Sequence, residues 1–254
     1  MMPGETAKEA AAFCRRNASA PVGIHLTLTS SKECALKPCY QAEPLPSLVT
    51  LDGCFPTRVE EVEHRADTEQ LRFELEAQIE LALHLGVEPT HLDSHAGSVM
   101  GLLTGRDFLE MVFDLCLKYR LPFLLPRNAA RQPFFDSRQQ ALLQQRITSA
   151  LSRGVELIDD LYTLPYLRRE GETYESAKEE LIQSLRRLRP GITQITLHPS
   201  LYQSGSKPLT QQQETREMEY RLFQDPDIKR RIEQERLRLI SWKKIRDVQR
   251  AGER

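Results

Sequence analysis

Short apolar runs alternate with longer amphipathic stretches along almost the whole chain, and this alternation limits the fold more than any other feature. The first run is Val22-Gly23-Ile24-His25-Leu26-Thr27-Leu28. Residues 87–95 feed a second, and 122–126, 155–158 and 192–197 supply three more. Helices are predicted over 5–17, 60–85, 107–119, 137–153 and 173–188. Within 60–85, Leu71, Leu75, Ile79 and Leu83 recur every fourth residue, a helix face and not a strand face. Gly86 supplies a left-handed cap beyond them. Strands and helices in turn are the pattern of an α/β fold with a parallel sheet. Pattern alone does not separate an open sheet from a barrel. Residues 31–58 have no period and read as a long loop. The C-terminal region is charged and helical, with 239–242 as a last strand. No linker or composition shift divides the chain, so one domain over 1–254 is expected.

Composition narrows the function. Lys plus Arg number 35 against 36 Asp plus Glu. A balance so even argues against nucleic-acid binding, which needs a basic surface. No apolar run nears the roughly eighteen residues of a membrane span, and Met1-Met2-Pro3-Gly4-Glu5 lacks the blocks of a signal peptide. The five cysteines, an odd number with no Cys-x-x-Cys, read as a reduced cytoplasmic protein. Cys34, Cys39 and Cys54 match no usual zinc spacing.

The histidines point to chemistry. His64 and His84 fall among charged residues on the long helix and read as solvated surface. His25 lies inside a strand, His91 and His95 bracket Asp93, and His198 ends a strand before Pro199. Alternation puts His91, Asp93 and His95 on one strand face. Two imidazoles and a carboxylate there can bind a divalent metal, one of them acting as support; a buried hydrogen-bonded cluster satisfies the same spacing. In parallel α/β folds, sites gather at the carboxyl ends of strands. The chain has no nucleophile elbow, phosphate-binding glycine loop or dinucleotide fingerprint. Hydrolysis by a metal that polarises a carbonyl and activates water, with no enzyme nucleophile, is the simplest mechanism.

Three blocks carry a resemblance: Gly23-Ile24-His25-Leu26-Thr27-Leu28, Pro89-Thr90-His91-Leu92-Asp93-Ser94-His95 and Thr196-Leu197-His198-Pro199, with Ile240-Ser241-Trp242 near the end. In order and spacing they resemble the YdjC-like carbohydrate deacetylases. The resemblance implies an irregular (β/α) barrel and a divalent metal, magnesium or zinc, that helps remove acetyl groups from N-acetylated sugars. It places the metal on His25 and His95, His91 beside them as support, and Asp93 among the catalytic groups. His198 falls where the family has a histidine that protonates the leaving amine, and Arg127 near the substrate. The family opens with an Asp-Asp-x-Gly strand, whereas Met1-Met2-Pro3 aligns about one β-α unit further in. The barrel is therefore expected to miss its first β-α unit. Asp159 and Asp160 are the carboxylates at hand to replace the absent ligand, although loop capping also explains them. A missing strand leaves the His25 strand with an open edge, a route to self-association of which a homodimer is the simplest form. Gln194 and Gly97 depart from the family's frequent Glu and His.

Overall fold

The computed structural model describes residues 1–17, 20–132, 135–164, 169–201 and 213–252. The chain forms two compact units, Met1–Leu157 with Ser241–Arg254, and Ile158–Ile240. The first holds α1 (Ala7–Arg16), β1 (Val22–Leu26), α2 (Val59–Arg65), α3 (Thr68–His84), β2 (Pro89–Ser94), α4 (Leu109–Tyr119) and α5 (Ser137–Ser152). The second holds β3 (Asp160–Thr163), α6 (Tyr174–Arg186), β4 (Thr193–Thr196), α7 (Gln213–Gln224) and α8 (Pro226–Gln234). The chain then returns to the first unit as α9 (Trp242–Gly252).

β1 and β2 run parallel, with His25 opposite Asp93 and Leu26 opposite Ser94. The register slips between Val22 and Ile24; such bulges re-aim side chains. Leu92 extends the pairing to the third apolar run through Leu92 N–H to Pro122 O and Leu124 N–H to Leu92 O, both 2.9 Å. Phe123 N–H reaches Glu156 O in the fourth run at 3.2 Å. β3 and β4 form a second parallel pair. The fold is thus α/β with short parallel strands. In the first unit Ile24, Leu26, Leu92 and Phe123 pack with Leu71, Leu75 and Ile79 of α3, each buried side chain contributing about 1.5–3 kcal/mol.

Beside β1 stands α1. Met1, Met2, Ala11 and Cys14 line, with residues 22–25, a cavity of about 80 Å³. No helix among the described residues is long and apolar enough to cross a membrane, and the five cysteines are free thiols.

The structure differs from the sequence expectations at three elements. The predicted helix over 60–85 is two helices, because Ala66 is extended and Asp67 caps α3, accepting from Glu69 N and Gln70 N. The regular strand near 155–158 begins instead at Asp160, where it pairs with β4. The predicted last strand, 239–242, is absent. Leu239 is 80% exposed and finds no sheet, while Trp242 opens a helix that buries Ile245, Arg246 and Gln249 at helical spacing.

Candidate functional site

Strand alternation divides β1 and β2 into two faces. Ile24, Leu26 and Leu92 turn to the core, and Gly23, His25, His91 and Asp93 occupy the other face. His25 Nδ1–H donates to Asp93 Oδ2 at 2.8 Å. A carboxylate accepts at this contact, so the proton sits on Nδ1 and leaves a lone pair on Nε2. His25 Nε2 lies 3.2 Å from His95 Nδ1, with the rings near perpendicular and their centroids 5.1 Å apart.

His95 reaches this position from a 3-10 turn, His95–Gly97, after β2. Ala96 and Gly97 both have positive φ, 51° and 68°. The left-handed region costs an alanine about 1–2 kcal/mol, a strain typical of sites where geometry is imposed. Gly97 meets that requirement without a β-carbon.

His25 is held from behind by α3. Thr27 Oγ1–H donates to His25 O at 2.7 Å. Gln78, fully buried, accepts from Thr27 N and donates to Thr27 O, at 3.0 and 2.7 Å, as a neighbouring strand would. One turn earlier Glu74 accepts from Cys39 N, Tyr40 N and Gln78 Nε2. Burial raises its carboxyl pKa against the pull of those donors. Gln70 accepts from Ser47 N. One polar row on α3 therefore fixes both the strand end and the long loop.

His91 is placed differently. Its ring stacks on Trp242, centroids 4.3 Å apart and planes 14° from parallel, and its Nδ1 lies 3.1 Å from Thr90 Oγ1. A β-carbon at Gly23 would fall 2.2 Å from His91 Cε1, so only glycine admits the ring. Burial pulls the His91 pKa down to about 4; Asp93 opposes that pull and His25 adds to it.

His25 and His95 suit two neighbouring positions around one ion. Nitrogens about 2.0–2.1 Å from a common metal lie roughly 2.9–3.4 Å apart for octahedral to tetrahedral angles. Asp93 on the far nitrogen of His25 is the usual outer partner of a metal-binding imidazole. Among the described residues, no group of three or more His, Cys, Asp or Glu is arranged to hold an ion, so the set ends at two nitrogens.

The remaining candidates have other partners. Arg127 pairs with Glu156 at 3.1 Å. His198 belongs to the second unit, where its N–H donates to the buried carboxylate of Glu219 on α7. Asp159 accepts from Ile192 N at 2.7 Å and Asp160 pairs with Arg189 at 2.7 Å, so both serve the second unit's own loops. His64 and His84 are exposed. Sequence reasoning missed Thr90, Gln78 and the placement of Trp242. The spacing of Gln70, Glu74 and Gln78, four residues apart, was the one available signal.

These features define an α/β protein with paired imidazoles and a supporting carboxylate at a strand end. A model of the family described as YdjC-like protein matches residues 1–234, and the chain belongs to that family. It is 28% identical over 223 residues to a carbohydrate deacetylase of Thermoanaerobacter pseudethanolicus, covering 87% of this chain and 76% of that protein. It is also 28% identical over 232 residues to a carbohydrate deacetylase of Thermus thermophilus, covering 89% and 78%. A crystal structure from Enterococcus faecalis, described as that of a candidate cellobiose-phosphate cleavage protein, shares the fold with a TM-score of 0.72. It is 22% identical, with 96% of this chain and 85% of that one covered.

Proposed function

We propose that this chain is a metal-dependent hydrolase that removes acetyl groups from N-acetylated amino sugars or small oligosaccharides in the cytoplasm. The relatives named carbohydrate deacetylase support the reaction and substrate class, and the triad of His25, Asp93 and His95 carries the reading. His25 Nε2 and His95 Nδ1 would hold a divalent ion; paired imidazoles suit zinc better than magnesium. When bound, the ion supplies Lewis acidity that polarises the acetamide carbonyl and acidifies water. Asp93 Oδ2 keeps the proton on His25 Nδ1 and the lone pair on Nε2. Asp93 stands on the side of the ring opposite the ion and is assigned as a positioning residue for His25, and the proton of the attacking water leaves through solvent. The acetamide C–N bond breaks, acetate leaves, and the departing amine takes up its proton from solvent. Arg127 is assigned a substrate contact, and the buried Glu219 carboxylate fixes the His198 backbone.

One observation favours a second reading. Among the described residues the donor set ends at two nitrogens, which suits a carbohydrate-binding protein that does not hydrolyse its ligand. Acetate release from diacetylchitobiose with added zinc, cobalt or magnesium separates the two when carbohydrate binding is measured alongside. The hydrolase reading expects metal-dependent acetate, reduced by at least about tenfold to a hundredfold in His95→Ala. Carbohydrate binding with no acetate at any metal concentration would contradict it in favour of the second.

A further inference from the structure

Thr90 is 3% exposed, and among the described residues its hydroxyl has one hydrogen-bond partner, His91 Nδ1. A buried hydroxyl proton is directed to an acceptor. His91 is only half-buried, so its own proton can face water from Nε2 whereas the Thr90 proton cannot; Nδ1 is therefore the acceptor and the neutral ring bears its single proton on Nε2. No described residue accepts that Nε2–H. The plane of the ring is also fixed, by Trp242 stacked on one side and by Gly23, whose missing β-carbon makes room for the ring edge. Trp242 is in turn held by α9, whose buried Arg246 donates to Pro89 O at 3.1 Å and pairs with Glu88 at 2.8 Å. Pro89 directly precedes Thr90, so the anchor of α9 and the Thr90–His91 pair share one strand start. His91 lies on the same strand face as Asp93 and His25.

We infer that His91 Nε2–H is a fixed hydrogen-bond donor to a hydroxyl or carbonyl oxygen of the bound carbohydrate, with Thr90 and Trp242 as positioning residues that set its tautomer and plane. The ligand rests on the carbohydrate reading above; the tautomer does not. A hydrogen bond of this kind is worth roughly a three- to tenfold change in affinity.

Long-range proton–nitrogen spectra of the full chain labelled at histidine test the tautomer, with His91→Gln assigning the signals. The wild type is expected to show a protonated Nε2 and a bare Nδ1 on His91. Thr90→Ser and Trp242→Phe should retain that pattern. Thr90→Val should raise the share of the Nδ1–H form, and Trp242→Ala should broaden the His91 signals while the tautomer is kept. Calorimetry with diacetylchitobiose tests the role. His91→Gln, which keeps an N–H donor, should bind within about threefold of wild type, and His91→Leu should lose roughly three- to tenfold. A protonated Nδ1 in the wild type would overturn the tautomer, and equal affinities of His91→Gln and His91→Leu would overturn the donor role. A wild type that binds no carbohydrate would remove the proposed function and the donor role together, while the nitrogen shifts would still decide the tautomer.

Discussion

Gly23 and His91 constrain each other across the β1–β2 pair. Because a β-carbon at 23 would begin 2.2 Å from the ring, Gly23→Ala has to displace His91 and loosen Trp242. We expect a loss of about 1–3 kcal/mol, as for other overpacked sites, measured by denaturant unfolding. The His91 ring also ties stability to pH. Its folded pKa of about 4 lies below its ordinary value of 6.5 because burial disfavours the imidazolium. Between those values the unfolded chain binds more protons than the folded one, so stability rises with pH through the window and is lost as pH falls toward 4. The loss is on the order of a few kcal/mol, and His91→Gln should flatten that part of the curve. Spacing alone was enough to single out His91, Asp93 and His95, because two histidines around an aspartate on a strand is a chemical pattern. It could not show that His95 leaves the strand through two residues of positive φ, nor that Thr90 directs its proton to His91. Those depend on tertiary placement, which a threonine in a sequence does not disclose.

At the scale of elements, α3 shows what periodicity reveals and what it hides. Leu71, Leu75 and Ile79 are buried, but Leu83 is 40% exposed and Ala82 takes its place inside. A four-residue step overshoots a full turn by about 40°, so a row spaced by four drifts off the core face. The adjacent polar row, Gln70, Glu74 and Gln78, looks like solvated surface in sequence and is instead the clamp on Thr27 and the 31–58 loop. Gln78→Leu should leave the Thr27 N–H and C=O unsatisfied and cost about 2–4 kcal/mol. Because Thr27 bonds the His25 carbonyl, the same variant should weaken metal binding, where a change remote from the site would lower the melting temperature alone. The C-terminal segment misled for the opposite reason. Ile240-Ser241-Trp242 is short and apolar enough for a strand, whereas the buried positions of α9 only emerge over the following turns, with an arginine among them.

At the scale of the molecule, alternation was sufficient for the α/β class and its parallel pairing, while the three histidine-bearing blocks carried the family that matches residues 1–234. The third and fourth apolar runs were legible as strand-like, and among the described residues they pair through only a few hydrogen bonds. The division into two units, with the second set between Leu157 and Ser241, has no composition shift to announce it. The proposed function requires His25 and His95 to share one divalent ion. Calorimetric titration of the 254-residue chain with zinc and with cobalt tests that directly, comparing His25→Ala and His95→Ala with His64→Ala and His84→Ala, whose side chains are exposed. One ion per chain is predicted, with affinity at least about tenfold lower in each of the first two variants and unchanged in the other two. Equal affinity in wild type, His25→Ala and His95→Ala, or no binding at millimolar metal, would contradict the account.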